Sequence, residues 1–144
     1  MMGAGIAGAC VLAWLAALCV YDIRDRRLPN WLTLPGAGVI LVVAAISGRG
    51  TPALLGAAAL FAVYAVAHLV SPAAMGAGDA KLAVGIGALT AIFGVDVWLL
   101  AALGAPVLTA CLAVVMLFRR SGQAVPHGPS MCLAAVAATT LAVL

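Results

Sequence analysis

Apolar residues fill this chain in six long runs, separated by short polar breaks. The runs lie at 3–21, 31–47, 52–70, 80–95, 96–118 and 126–144. A helix crossing a bilayer needs about 20 apolar residues, within a range of about 17–25. The pattern therefore predicts an all-α membrane protein, a polytopic bundle of six transmembrane helices forming a single domain over 1–144. The second and fourth runs are short and contain or adjoin glycine and proline, which predicts little tilt or irregular starts.

Composition supports this reading. The chain is 67% hydrophobic and 8% charged, which no soluble domain of this length requires. The stretch at 6–20 has the length of a signal-peptide core. No Lys or Arg precedes Arg24, so the basic segment of a signal peptide is missing and a retained span is expected. Arg24, Arg26, Arg27, Lys81, Arg119 and Arg120 flank the first, third and fifth loops, and only Arg49 lies in an even-numbered loop. By the positive-inside rule the odd loops are cytoplasmic and both termini face out. This predicts a multi-pass protein of the cell (cytoplasmic) membrane. A net charge of +3 spread over such loops sets orientation and predicts no nucleic-acid partner; the expected surroundings are membrane lipid.

Two features carry little chemistry. Cys10, Cys19, Cys111 and Cys132 all lie in apolar runs without a Cys-x-x-Cys pair. They read as small packing residues, and no metal site is expected. Gly3-Ala4-Gly5-Ile6-Ala7-Gly8 matches the dinucleotide-binding glycine pattern letter for letter. That motif needs a preceding strand and a βαβ unit, so small residues for close helix packing are expected instead. No cofactor is expected.

The acidic residues are more informative. There are four: Asp22, Asp25, Asp79 and Asp96. A carboxylate within hydrocarbon costs about 2.5–3.5 kcal/mol on insertion scales and needs a reason to be there. Asp79 follows Gly76-Ala77-Gly78 and opens an apolar run. Two readings are open: a carboxylate presented to an incoming peptide backbone beside side-chain-free residues, or a cap on the next helix. Asp96 reads as a helix cap, and Asp25, among three arginines, as a solvated ion-pair partner.

Asp22 and Asp79 both fall at the cytoplasmic boundary. Two carboxylates held close cannot both ionise. Such a pair titrates jointly, one member activating water while the other donates to a carbonyl. A different class of function, a small multi-pass proton- or cation-coupled carrier, would also use intramembrane aspartates. A third reading is a non-catalytic assembly subunit. Carriers tend to place their charges near mid-membrane on broken helices in repeated halves, whereas this pair lies at one face. His68 and His127 have no matching serine nucleophile.

Together these residues resemble a known family. Tyr21-Asp22 and Gly76-Ala77-Gly78-Asp79 are similar to the paired motifs of GxGD membrane aspartyl proteases. The segment from Asp22 through Leu28-Pro29-Asn30-Trp31 to Pro35 resembles the first motif of type IV prepilin peptidases. Met75 to Leu82 resembles their second, and Pro126-His127-Gly128-Pro129 their C-terminal Pro-x-Gly-Pro segment. The three occur in the family's order and span nearly the whole chain.

The resemblance implies that Asp22 and Asp79 are catalytic. It implies site-supporting or substrate-binding roles for Gly76, Gly78, Lys81, Pro29, Asn30, Pro126, Gly128 and Pro129, and leaves His127 without an assigned role. Gly76 and Gly78 would let substrate backbone reach Asp79. The implied partner is a prepilin or pseudopilin, with a short polar leader ending in glycine ahead of a hydrophobic helix. The chain begins at its first span, without the cysteine-paired cytoplasmic region of the large members. It therefore resembles the short, peptidase-only branch associated with Flp-type (tight-adherence) pili, for which no N-methylation is expected.

Overall fold

The computed structural model describes the backbone of residues 2–120 and 122–144, and side chains from residue 5 onward over the same segments. Within the described residues six helices follow one another: α1 (Met2–Asp25), α2 (Asn30–Ile46), α3 (Gly50–Val70), α4 (Ala77–Ala91), α5 (Val95–Phe118) and α6 (Gly128–Val143). Each matches one apolar run, with ends displaced by a few residues. The first helix continues through Asp22 to Asp25, and the fourth begins ahead of Asp79. α2 runs through Pro35, so that proline lies within the helix and does not mark its boundary.

Among the described residues, three helices are long and apolar enough to cross a membrane, over Gly5–Asp25, Gly50–Val70 and Val95–Phe118. The other three are shorter. At about 1.5 Å per residue, the 17 residues of α2 extend about 26 Å against a hydrocarbon core of about 30 Å. α4 is shorter still, with 15 residues, but ten of them are buried. It packs against α2, α3, α5 and α6, while α1 packs on α6 and α2. As the central helix, α4 meets its neighbours on most sides, which relaxes the length demand that lipid makes on an outer helix. The outward faces carry exposed aliphatic residues such as Leu54, Val63, Leu103 and Val107. In water these would form a large apolar patch; in lipid they match their solvent.

Inside a membrane, association relies on close van der Waals approach more than on expulsion of water. Small residues make that approach possible here. α3 and α4 cross at Gly56 and Gly87, where a Cβ on either glycine would strike the other's backbone. The Trp98 indole N–H closes this crossing with a 3.1 Å bond to the Gly56 carbonyl. Trp14 of α1 occupies a slot left by Gly36 and Gly85, where a methyl group would meet its ring. Its Nε1–H donates to the Leu32 carbonyl at 2.9 Å, joining α1 to α2. Gly5 and Gly8 behave otherwise: a Cβ there would meet nothing within 4 Å, so these two residues of the amino-terminal glycine pattern do not serve packing within the chain.

The loops sort to two ends. Arg49, before α3, donates to the Ile92 carbonyl at the end of α4 at 2.7 Å, which joins the second and fourth loops. Gly94, at φ +136, makes the turn into α5 and takes the N-cap position. Asp96 lies in the first turn without a capping bond, correcting its expected role as the cap. The first, third and fifth loops meet at the other end, where the acidic pair lies.

Candidate active site

Asp22 sits in the last turn of α1 and is buried. That is the negative end of its helix, an unfavourable place for a carboxylate. Compensation comes from another helix: the Gly128 backbone N–H, at the start of α6, donates to Asp22 Oδ2 at 3.0 Å. The approach is so close that a Cβ on Gly128 would lie 2.6 Å from Oδ2 and 3.0 Å from Cγ. Glycine is needed here for space, with no left-handed backbone involved.

Asp79 is also buried, in the first turn of α4. The N-cap is Gly76, in extended backbone at φ −72 and ψ 145, and no side chain caps the helix. Asp79 is thus the third residue inside the helix, where the positive end favours its charge. Its Oδ2 would stand 3.4 Å from a Cβ on Gly76. Asp79 is not the N-cap residue, since that position belongs to Gly76; its carboxylate faces back to the Gly76 backbone from the third helical position, where a side chain can support the helix start as well as line the cavity.

The two carboxylates open onto one cavity of about 260 Å³, which Gly76, Gly78 and Lys81 also line. Arg26, Arg27 and Leu28 close its flank; sequence reasoning assigned these arginines to topology first. Their position on the wall follows from the continuation of α1 past Asp22 and the turn at Arg26, whose φ is +50. Lys81 pairs with neither aspartate. Its Nζ donates to Asn30 Oδ1 at 2.8 Å, tying α4 to the start of α2. Pro29 is the N-cap residue of α2, and its carbonyl accepts the Thr33 hydroxyl at 3.1 Å.

Gly78 is half-buried, and neither it nor Gly76 has positive φ. A Cβ on Gly78 would press on Leu28 Cβ at 3.2 Å, so close packing on Leu28 already accounts for this glycine. Pro126 and Pro129 flank His127 and Gly128 and lie outside the cavity wall.

Two histidines buttress the site. The His68 Nδ1–H, in the last turn of α3, donates to the Met75 carbonyl at 2.7 Å, holding the segment that leads into Gly76. His127 Nε2 meets the Tyr64 hydroxyl at 2.8 Å, and its Nδ1 meets the Thr109 hydroxyl at 2.7 Å. Sequence reasoning left His127 without a role, since Tyr64 and Thr109 lie on other helices and no local pattern links them to it. Asp25 is exposed at the end of α1, apart from this buried arrangement.

No curated protein and no solved structure matches the chain. A family model, that of the type IV leader peptidase family, matches residues 9–114. The matched segment holds Asp22, Asp79, the cavity wall, all of α2, α3 and α4 and most of α1 and α5, and on that match the chain belongs to the type IV leader peptidase family.

Proposed function

We propose that this chain is an aspartyl endopeptidase of the GxGD type that removes the leader peptide of prepilins or pseudopilins at the cytoplasmic face of the membrane. The observation that carries the reading is one cavity shared by two buried carboxylates, each beside the N-terminal end of a helix. Its volume of about 260 Å³ exceeds the share of one water, about 30 Å³, and leaves room for a peptide group beside a hydrolytic water.

In this reading the pair holds one proton between them. The ionised carboxylate takes a proton from water as it attacks the scissile carbonyl. The protonated one donates to the carbonyl oxygen, and collapse of the tetrahedral intermediate delivers a proton to the leaving amine. Lys81, Arg26 and Arg27 give the cavity mouth a positive character that favours the ionised partner. Gly128 fixes the orientation of Asp22.

All six helices are spans in this proposal, with both termini outside and the acidic pair at the inner boundary. Tyr21 and Trp31, packed edge to face at 5.7 Å, suit an interfacial aromatic belt. The carrier reading has no support: both carboxylates lie at one end of the bundle, and the family is one of peptidases.

Co-expression with a prepilin, reading leader removal by gel shift, tests the proposal. Asp22→Asn and Asp79→Asn should each abolish cleavage while insertion persists, and Asp25→Asn should cleave normally. Near-normal processing by either of the first two would remove that residue from the mechanism.

A further inference from the structure

We propose that His127 is a positioning residue of the acidic site, a neutral imidazole carrying its proton on Nδ1, that holds the Gly128 N–H against Asp22. The kinetic part of this inference rests on the peptidase reading; the proton position and the effect on Gly128 do not.

The argument begins at the start of α6. His127 is the N-cap residue there, and α6 has no side-chain capping bond. The His127 carbonyl accepts the Met131 N–H at 3.1 Å, so His127 belongs to the first turn and its peptide bond leads directly to Gly128. What fixes this turn laterally is the imidazole. It spans from Tyr64 on α3 to Thr109 on α5, with bonds of 2.8 and 2.7 Å. The Tyr64 ring packs against it with centroids 5.5 Å apart. Three helices are thereby tied at one side chain, adjacent in sequence to the amide that Asp22 requires.

The protonation state follows from counting donors. The Thr109 hydroxyl also lies 3.1 Å from the Ala105 carbonyl, which can only accept. With the Thr109 proton given to Ala105, its oxygen accepts from His127 Nδ1–H. Nε2 is then the acceptor for the Tyr64 hydroxyl. All three contacts are satisfied at once. Placing the proton on Nε2 would make Nδ1 compete with Ala105 for the Thr109 proton and turn the Tyr64 oxygen into an acceptor. An imidazolium would likewise displace the Tyr64 proton from its acceptor. Buried donors left without partners are costly, so the Nδ1–H neutral form is the one this arrangement selects.

Purified protein labelled with ¹⁵N, in detergent, supplies the test. Imidazole nitrogen shifts should identify Nδ1–H in the native protein. His127→Phe keeps a ring and deletes both hydrogen bonds. It should move the Gly128 amide proton upfield, as its bond to a carboxylate lengthens, and lower kcat for prepilin cleavage about tenfold with KM little changed. Thr109→Val and Tyr64→Phe each remove one partner and should give smaller shifts in the same direction. A proton on Nε2, an imidazolium, or a Gly128 amide unmoved by His127→Phe would overturn the inference, whether or not the protein cleaves. Unchanged kcat in an active protein would do the same. If no prepilin is cleaved by the native chain, the peptidase reading fails, and the Gly128 shift alone decides the positioning role.

Discussion

Gly128→Ala offers the sharpest test of the site geometry, because one methyl group is aimed at a proposed catalytic oxygen. The added Cβ would lie 2.6 Å from Asp22 Oδ2, whereas ordinary contact begins near 3.4 Å; the retreat needed is about 0.8 Å, of the size that costs on the order of 10²-fold in rate. The same movement takes the Gly128–Asp22 hydrogen bond from 3.0 Å beyond useful range. A bond to a charged group contributes about 1.5–3 kcal/mol, so some loss of stability accompanies the loss of rate. The other site glycines provide an internal scale. A methyl on Gly78 meets Leu28 at 3.2 Å and one on Gly76 meets Asp79 at 3.4 Å, so the expected order of damage is Gly128, then Gly78, then Gly76. The assay is kcat and KM for leader removal from a purified prepilin, with melting in detergent on the same preparations. A Gly128→Ala protein with kcat within twofold of native would refute the claim that Asp22 is positioned by this contact. Equal damage from Gly76→Ala would refute the steric ranking.

Two other outcomes are expected. In a background lacking the four native cysteines, a cysteine placed at Arg119, which is exposed just beyond α5, should react with a membrane-impermeant thiol reagent only from the cytoplasmic side; reaction only from outside would overturn the proposed orientation. Ser130→Ala should leave melting unchanged or slightly raised, since the buried Ser130 hydroxyl has no hydrogen-bond partner among the described residues and its removal relieves an unsatisfied group; a clear loss of stability would show that the hydroxyl has a partner in the folded protein.

The helices were legible in the sequence because apolar length is a one-dimensional signal. The ends were less so: helical geometry carries α1 to Asp25, through the polar residues that bound the apolar run. Asp22 and Asp79 stood out as rare charges at one predicted boundary, and the structure brings them to one cavity. Gly78 was legible as special for the room it leaves beside Asp79, and the structure adds a reason the sequence does not show, its close packing on Leu28. Illegible were the contacts joining distant helices. Nothing near His127 points to Tyr64 or Thr109, and nothing near Asp22 announces that its partner is an amide 106 positions away. Such contacts depend on how helices are rotated about their axes, which an almost uniformly apolar chain encodes poorly. Spacing in the sequence marks a polar face only where polar residues are frequent enough to form one.

The helix ends account for why three separate segments must converge. A carboxylate at the positive end of its own helix is favoured by about 0.3–1 kcal/mol and one at the negative end is disfavoured to a similar degree. Asp79 has the favourable position in α4. Asp22, at the far end of α1, gains a comparable donor by borrowing the first amide of α6, the Gly128 N–H. The two carboxylates are therefore unlike in what sustains them. Asp79 depends on the start of its own helix and on the loop that His68 holds, whereas Asp22 depends on where another helix begins. That dependence explains the glycine at 128, since any side chain there would separate the carboxylate from the amide that supports it. It also gives physical content to the proline residues on either side of the His127-Gly128 step. By limiting backbone freedom around it, they reduce the entropy lost in holding one N–H against one oxygen.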